Sequence, residues 1–304
     1  MTRQDIIYRT IAALRNADYR ITTFLESNTC FDIIAKSGGQ TLLMKIYDNI
    51  DSIRKEQGAE LKKLSRVINA SPIIIGERTK VFGMADDTVY LRYSIPAVSA
   101  ATFERLLDDR FPKMRYFKGK QLVDIDNEAI AKKRRELELS LDELAEKLDI
   151  AAETLHRFEK GASTSLDTAR RMECKLGTKL LRDVDIFDIG PQAEKVDDIP
   201  RERLLERLHD LGVKMALFEH APFDAFANSE KGMFISTGKG KFDIPKKAIE
   251  LAKTSAAVES GSIIVTKEYK YKSIEGVPVI GEAELGTINR FKELRKLIEE
   301  REEK

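Results

Sequence analysis

The stretch LSLDELAEKLDIAAETLHRFEKG, residues 139–161, decides how the middle of this chain folds. Its apolar residues recur at helical spacing in two short segments that are separated by a turn. Ala145 is small where the second helix crosses the first, so the two helices can pack closely. The side chains expected to fill the core between them are Leu144, Leu148, Ile150, Leu155 and Phe158, with Ile150 in the turn. The stretch therefore predicts a helix-turn-helix unit.

These residues resemble the lambda-repressor-like, or Xre-type, helix-turn-helix family, whose fold is a bundle of four or five helices that binds duplex DNA. The match includes Leu-Ala-Glu-Lys-Leu at 144–148 and Arg-Phe-Glu-Lys-Gly at 157–161. The resemblance implies that the second motif helix, about residues 152–160, lies in the major groove with its N-terminal residues facing base edges. It places Ala152, Glu153, His156 and Arg157 toward the bases, and Lys160, Ser163 and Thr164 toward the DNA backbone.

Three positions depart from the family pattern. Family members often carry Gln where this chain has Leu141, Ser where it has Ala151, and a polar residue where it has Ala152. Residues 123–195 also carry a net charge of −4, from 13 basic and 17 acidic residues. Affinity for phosphate must then come from local clusters of positive charge. The cluster on the first helix of the bundle is Lys132, Lys133, Arg134 and Arg135.

Each of these positions also has a plainer interpretation. The cluster from Lys132 to Arg135 fits a solvated helix face, and His156 fits an ordinary exposed helix residue. Arg157 can instead pair with Glu153, which lies one helical turn earlier. A helical bundle of this size can also be a protein-interaction module.

Two α/β blocks flank the helical unit. Residues 1–122 follow the order helix, three strands, helix and further strands, and residues 200–304 follow the same order. A polar segment, residues 186–199, contains Pro191 and is followed directly by Pro200; it is interpreted as the linker before the second block. We expect the helix-turn-helix domain to span residues 127–185 and the two blocks to share a fold.

The first block resembles the PD-(D/E)XK nuclease superfamily, most closely its archaeal Holliday-junction resolvase-like branch. The order of its elements and the stretch CFDIIAKSGGQTLLMKIYDN, residues 30–49, carry this resemblance. Active members use an Asp at a strand end and an acid-x-Lys on the next strand: the carboxylates hold Mg²⁺, and the Lys orients the attacking water. Asp32, Lys45 and a helical Gln57 match that pattern, but Leu43 stands where the second carboxylate belongs. The resemblance therefore implies an inactive scaffold with no catalytic residues, metal or cofactor.

The second block carries a weaker copy of the same pattern. An offset of 192 residues places Asp224 on Asp32. The same offset sets Ile235 and Thr237 at the positions of the acid and the lysine. We expect this copy to be fully degenerate.

Composition and hydrophobic patterning exclude several classes of protein and of metal site. The chain has 304 residues, is 42% hydrophobic and 34% charged, and contains two cysteines, which excludes a disulfide framework and a cysteine-rich metal site. No stretch approaches the ~18–20 apolar residues of a membrane span. Charges interrupt the apolar pattern of the first helix, which excludes a signal peptide. We expect a cytoplasmic protein that does not bind membranes.

The combined interpretation is a multidomain α/β plus all-α protein with a central lambda-repressor-like bundle between two nuclease-like domains. It predicts a sequence-specific, duplex-DNA-binding transcriptional regulator of archaeal type that is a homodimer and not an enzyme. The flanking domains would pair the chains or sense the transcription machinery or a small effector. Two other classes stay open: a divergent nuclease or junction resolvase targeted by the helix-turn-helix, and a coactivator-like adaptor.

Overall fold

The computed structural model describes residues 1–25, 29–117, 119–187, 196–228, 231–238, 243–267 and 270–302. The chain divides into two compact units. The first unit comprises residues 1–13, 47–52 and 73–188, and the second comprises residues 14–46, 53–72 and 189–304.

The N-terminal block has the predicted elements in the predicted order. They are α1 (Arg3–Asn16), β1 (Arg20–Thr23), β2 (Ile33–Ser37), β3 (Gln40–Ile46), α2 (Lys55–Val67), β4 (Ser71–Ile75), β5 (Thr88–Arg92), β6 (Ile95–Val98) and α3 (Ala100–Leu107). Gly38 and Gly39 form the turn between β2 and β3, where φ values of +54° and +88° favour residues without a Cβ. A hairpin follows, made of β7 (Met114–Phe117) and β8 (Lys120–Val123).

The middle of the chain is entirely helical, as predicted. It contains α4 (Asn127–Glu136), α5 (Leu141–Leu148), α6 (Ala152–Glu159) and α7 (Leu166–Leu176). Asp126 begins α4 by accepting a hydrogen bond from the backbone N–H of Ala129, and Ser165 begins α7 in the same way. Ala151 offers no side-chain cap to α6, in agreement with its departure from the family pattern.

The hairpin β7–β8 is part of the same core as these helices. Val123 and Ile125 are buried together with side chains from all four helices of the bundle. Val123 and Thr164 exchange two backbone hydrogen bonds of 2.8 and 3.0 Å, and Asp126 donates its N–H to the carbonyl of Leu180. The helix-turn-helix domain is therefore built onto the last strand of the block before it.

The C-terminal block lies in the second unit. Its elements are α8 (Arg203–Asp210), β9 (Met215–Leu217), β10 (Ala225–Ala227), β11 (Met233–Gly238), α9 (Asp243–Val258), β12 (Gly261–Thr266), β13 (Ser273–Ile274), β14 (Val277–Gly281), α10 (Glu282–Thr287) and α11 (Phe291–Glu302). Its core lies between α8, α10, α11 and one face of the sheet, and includes Leu208, Met215, Ile235, Ile263 and Leu294.

The strands of the two blocks are connected in the same way. β1, β2 and β3 form an antiparallel meander, and so do β9, β10 and β11. After the second helix of each block comes a strand that pairs in parallel, β4 with β6 and β12 with β14. The next strand across the sheet is antiparallel in both, since β5 pairs with β6 and β13 with β14. This agreement supports the predicted internal repeat.

The predicted linker, residues 186–199, is described only at its two ends, because residues 188–195 lie outside the described residues. Ile186 is buried, and the ring of Phe187 contacts that of Phe111 at 6.3 Å between centroids. At the other end, the N–H of Asp198 donates to the carbonyl of Met215. Both described ends therefore pack against neighbouring elements.

No helix in the described part of the chain is both long and apolar enough to cross a membrane.

Candidate nucleic-acid interface and nuclease-like position

The first motif helix, α5, begins with a reciprocal pair of hydrogen bonds. The hydroxyl oxygen of Ser140 accepts from the N–H of Glu143 at 3.2 Å, and the Glu143 carboxylate accepts from the N–H of Ser140 at 2.7 Å. The bond from the Ser140 backbone lowers the pKa of Glu143. The helix ends at Asp149, whose left-handed φ of +56° starts the tight turn into α6. Local sequence chemistry thus fixes both ends of α5.

The predicted core of the motif is confirmed. Leu144, Ala145, Leu148, Leu155 and Phe158 are buried. Ile150 is half-buried in the turn and packs against the same cluster. Burial of this side of α6 leaves its opposite side for recognition.

The exposed side of α6 carries the residues predicted to read bases. Glu153, His156 and Arg157 are exposed, Lys160 is exposed just after the helix, and Ala152 is half-buried. Within the described residues, no ion pair joins Arg157 to Glu153, so the plainer interpretation of Arg157 gains no support. The arginine head is therefore available at the surface of the second motif helix.

Sequence reasoning placed Arg134 among the phosphate-binding cations, but the structure gives it another role. Its Nε and Nη2 donate to the two carboxylate oxygens of Glu159 at 2.7 and 3.0 Å. The side chains are only 20% and 10% exposed, and the bond to Glu159 raises the pKa of Arg134. This pair ties α4 to the end of α6, and no local sequence pattern indicated it because 25 residues separate its members.

The other cations of α4 stay near the surface. The side chain of Lys132 is 75% exposed and lies 3.9 Å from Glu136, while Lys133 lies 3.2 Å from the same carboxylate. Arg135 is exposed, and its Nε donates to the carbonyl of Ala131. Glu136 therefore offsets part of the positive charge of the cluster.

The turn after α6 is arranged differently from the prediction. Thr164 is 7% exposed and held by Val123, so its side chain is not presented to the surface. Ser163 is exposed, but its hydroxyl donates to Asp124 at 2.7 Å. The reason is the long-range pairing of this turn with β8, which the sequence of the motif does not reveal.

The nuclease-like position lies at the start of β2 and the end of β3. Asp32 and Lys45 are both buried and form an ion pair of 2.9 Å. The second carboxylate oxygen of Asp32 accepts the N–H of Ile46 at 2.7 Å, and the Lys45 ammonium also donates to the carbonyl of Thr29 at 2.6 Å. The two residues that match the nuclease pattern, Asp32 and Lys45, are therefore in direct contact.

The remaining two positions do not complete a metal site. Leu43 lies on the same face of β3 as Lys45, is fully buried, and offers no oxygen ligand. Gln57 is buried near the start of α2, where its side chain accepts the N–H of Arg54 at 3.4 Å. No group of three His, Cys, Asp or Glu that could hold a metal occurs among the residues described. One carboxylate already bound to an ammonium does not fit Mg²⁺, which prefers several oxygen ligands.

In the C-terminal block the register differs from the prediction by one residue. The N–H of Asp224 donates to the carbonyl of Ile235, as that of Asp32 donates to Met44. The hairpin is one residue shorter, so Ile235 corresponds to Met44 and not to Leu43. The assignment of Ile235 and Thr237 to the acid and lysine positions is therefore wrong. Those positions are occupied by Phe234 and Ser236.

A lysine from another element replaces the missing strand lysine in this block. Lys247 on α9 lies 3.3 Å from Asp224 and donates to the carbonyl of Thr237 at 2.8 Å. The offset of 190 residues that relates β4 to β12 places Lys247 on Gln57 of α2. A carboxylate-to-ammonium contact thus persists in this block, but it is only half-buried and its lysine lies on a helix. Sequence reasoning applied the offset of 190 residues only to the strands. Applied to α2 and α9, the same offset would have indicated Lys247.

Comparison with known proteins agrees with both resemblances. A PD-(D/E)XK superfamily domain matches residues 3–112, and a helix-turn-helix domain matches residues 130–182. A protein of Methanothermobacter thermautotrophicus is 31% identical over 98% of this chain and 97% of its own length. Proteins of Archaeoglobus fulgidus and Methanococcoides burtonii are each 28% identical, over 97% and 99% of this chain and 97% and 98% of their own. All three bear the name "Putative HTH-type transcriptional regulatory protein". No solved structure matches the chain.

Proposed function

The chain belongs to the family of archaeal HTH-type transcriptional regulatory proteins, and from that premise we propose that it binds duplex DNA sequence-specifically through α6. The observation that carries this proposal is the exposed row of Glu153, His156 and Arg157 on a helix whose other side is buried. Arginine in the major groove can donate two hydrogen bonds to guanine. From the proposed DNA target we infer that the regulator is cytoplasmic.

The phosphate contacts would come from cations around this helix. Lys160 follows α6 directly, and Lys132 and Arg135 are exposed on α4. Each lysine or arginine that neutralises a phosphate releases condensed counterions, so affinity should fall steeply as salt rises. Thr164 is left out of this set because its side chain is buried.

Selection of genomic fragments with the full chain, followed by titration of the recovered sequence at several salt concentrations, tests this function. We expect a preferred sequence that binds at least about 10³-fold more tightly than random duplex. Equal affinity for both duplexes would contradict the proposal. Failure to bind any DNA would favour the coactivator-like adaptor.

The active form is proposed to be a homodimer. One helix-turn-helix contacts one half-site, and proteins of this type commonly bind two half-sites about one helical turn apart. We place the dimer contacts outside residues 127–179, where the flanking domains could also sense the transcription machinery or a small effector. Two chains per site in sedimentation, with two protected half-sites, is the expected result; one chain on one unrepeated site would contradict it.

A divergent nuclease is the second candidate, because the PD-(D/E)XK match covers residues 3–112. Leu43 at the position of the second carboxylate speaks against it, since two-carboxylate metal binding positions the attacking water in such enzymes. Incubation of the full chain with duplex, single-stranded and four-way-junction DNA in Mg²⁺ or Mn²⁺ decides the matter. We expect no cleavage; cleavage that disappears in Asp32→Ala would establish the enzyme.

A further inference from the structure

Within the second unit, helix α2 of the N-terminal block holds residues 217–220 of the C-terminal block. The Glu60 carboxylate accepts the backbone N–H groups of Glu219 and His220, each at 2.7 Å. The imidazole Nδ1 of His220 is buried, lies 3.5 Å from Glu60, and has no hydrogen-bond partner among the described residues. Two hydrogen bonds to one carboxylate fix the path of this segment because charged acceptors bind more strongly than neutral ones.

Lys63, one turn further along α2, holds the same segment from its other end. Its ammonium donates to the carbonyl of Leu217 at 2.8 Å and forms an ion pair with Asp198. It also lies 5.3 Å from the centre of the Phe218 ring, within the range of a cation–π contact. Residues 217–220 are therefore held by two charged side chains of one helix.

The segment continues by backbone contact to the nuclease-like position. The carbonyl of His220 accepts the N–H of Cys30 at 2.5 Å. The neighbouring Thr29 has its carbonyl bound by the Lys45 ammonium. Residues 29–31 thus lie between the Asp32–Lys45 pair and the C-terminal block.

We propose that residues 217–220 are a built-in cover that keeps residues 29–31 closed over the Asp32–Lys45 pair, with Glu60 and Lys63 holding the cover in place. The N-terminal nuclease-like position is then closed to metal and nucleic acid by the second copy of its own fold, independently of Leu43. This assigns the C-terminal block an intramolecular role that does not depend on the proposed DNA binding.

Cys30 provides a direct probe of this cover. Its side chain is fully buried, and burial together with the nearby negative charge of Glu60 raises the pKa of its thiol. The chain has one other cysteine, Cys174, which is exposed. In a Cys174→Ser background, a thiol reagent therefore reports only how often Cys30 becomes accessible.

The helix of the C-terminal block supplies a matched control. The offset of 190 residues places Glu250 on Glu60, so Glu250→Gln removes the same charge from the equivalent position of α9. Among the described residues, the two backbone N–H groups of this segment that bind a carboxylate, those of Glu219 and His220, donate to Glu60 and not to Glu250. Its removal should therefore leave Cys30 protected.

The experiment compares Cys30 labelling in Cys174→Ser, Cys174→Ser/Glu60→Gln and Cys174→Ser/Glu250→Gln. Loss of a charged acceptor should raise the labelling rate at least about tenfold in the Glu60 variant and leave the Glu250 variant unchanged. Hydrogen exchange should rise in the same variant over residues 29–32 and 217–220. Equal rates of Cys30 labelling in all three proteins would overturn the proposal that residues 217–220 act as a cover.

A second variant separates opening of the cover from loss of the fold. Lys63→Met keeps the length of the side chain but removes its charge, and it should also accelerate Cys30 labelling. Thermal unfolding and circular dichroism are measured for every variant. Faster labelling that tracks only the drop in global stability, with no local change in exchange at 217–220, would refute the proposal.

Discussion

Arg134 on α4 binds Glu159 at the end of α6 through two hydrogen bonds, of 2.7 and 3.0 Å. The same guanidinium donates to the carbonyl of Leu139, just before α5. One largely buried side chain therefore connects the first helix of the bundle to both motif helices. Its fixed fork geometry sets the position of α6 more firmly than a lysine could.

Replacing Arg134 with alanine should destabilise the helical domain. The change leaves the Glu159 carboxylate, which is 10% exposed, without its cation, and the loss should be about 1–3 kcal/mol of unfolding free energy. Arg135→Ala, on the exposed side of the same helix, should change the unfolding free energy by less than about 0.5 kcal/mol. Denaturant unfolding followed by helix signal measures both. Equal stability of the two variants would show that the pair contributes little.

Arg157→Ala should weaken binding to the preferred DNA sequence more than binding to random duplex. A bidentate contact to guanine is worth about 1–3 kcal/mol of discrimination, and Arg157 is exposed on α6 where such a contact can form. Lys160→Ala should weaken both duplexes alike and lower the salt slope by about one unit. Titrations of both variants on both duplexes measure these effects. Equal losses on the two DNAs for Arg157→Ala would remove it from base readout.

The helical domain should lose stability in acid through Glu173. Hydrogen bonds from the N–H groups of Leu180 and Leu181, at 2.7 and 3.0 Å, lower the pKa of this carboxyl below its ordinary value of 4.5. The unfolded chain then binds the proton more readily than the folded one. The stabilisation is present above pH 4.5 and disappears as the pH falls through the folded-state value.

Thermal unfolding between pH 7 and pH 3 compares the parent chain with Glu173→Gln. The glutamine variant should be less stable at pH 7, and its deficit should shrink as the pH falls below about 4.5. Asp167→Asn, on the exposed first turn of α7, is the control that should leave the profile unchanged. A constant difference between Glu173→Gln and the parent at every pH would rule out this titration.

Helix periodicity predicted the helical domain well because its core contacts are local. Leu144, Ala145 and Leu155 are buried where the pattern required. Thr164 was misplaced because its partner, Val123, belongs to a strand 41 residues earlier in the chain. Contacts between distant segments leave no periodic trace in either segment.

The nuclease-like positions show the same limit. Motif spacing found Asp32 and Lys45, and the structure brings them into contact. Motif spacing missed Lys247. An ion pair requires only opposite charges that lie close together, so the lysine can belong to α9 and need not belong to the strand. It also missed Glu60, whose partners are backbone groups without any side-chain signature.

The Asp32–Lys45 pair should stabilise the fold, which an exposed remnant of a catalytic site would not do. Both side chains are buried, so Asp32→Asn or Lys45→Met alone leaves one charge buried without its partner, at a cost of about 3–5 kcal/mol. The double variant removes both charges and should be clearly more stable than the sum of the single losses predicts. Lys55→Met, an exposed lysine on α2, should change stability by less than about 0.5 kcal/mol. Thermal and urea unfolding of the four variants supply the cycle. The pair would be dispensable for stability if the single variants were as stable as the parent and the changes in unfolding free energy were additive. Only its ancestry would then explain its presence.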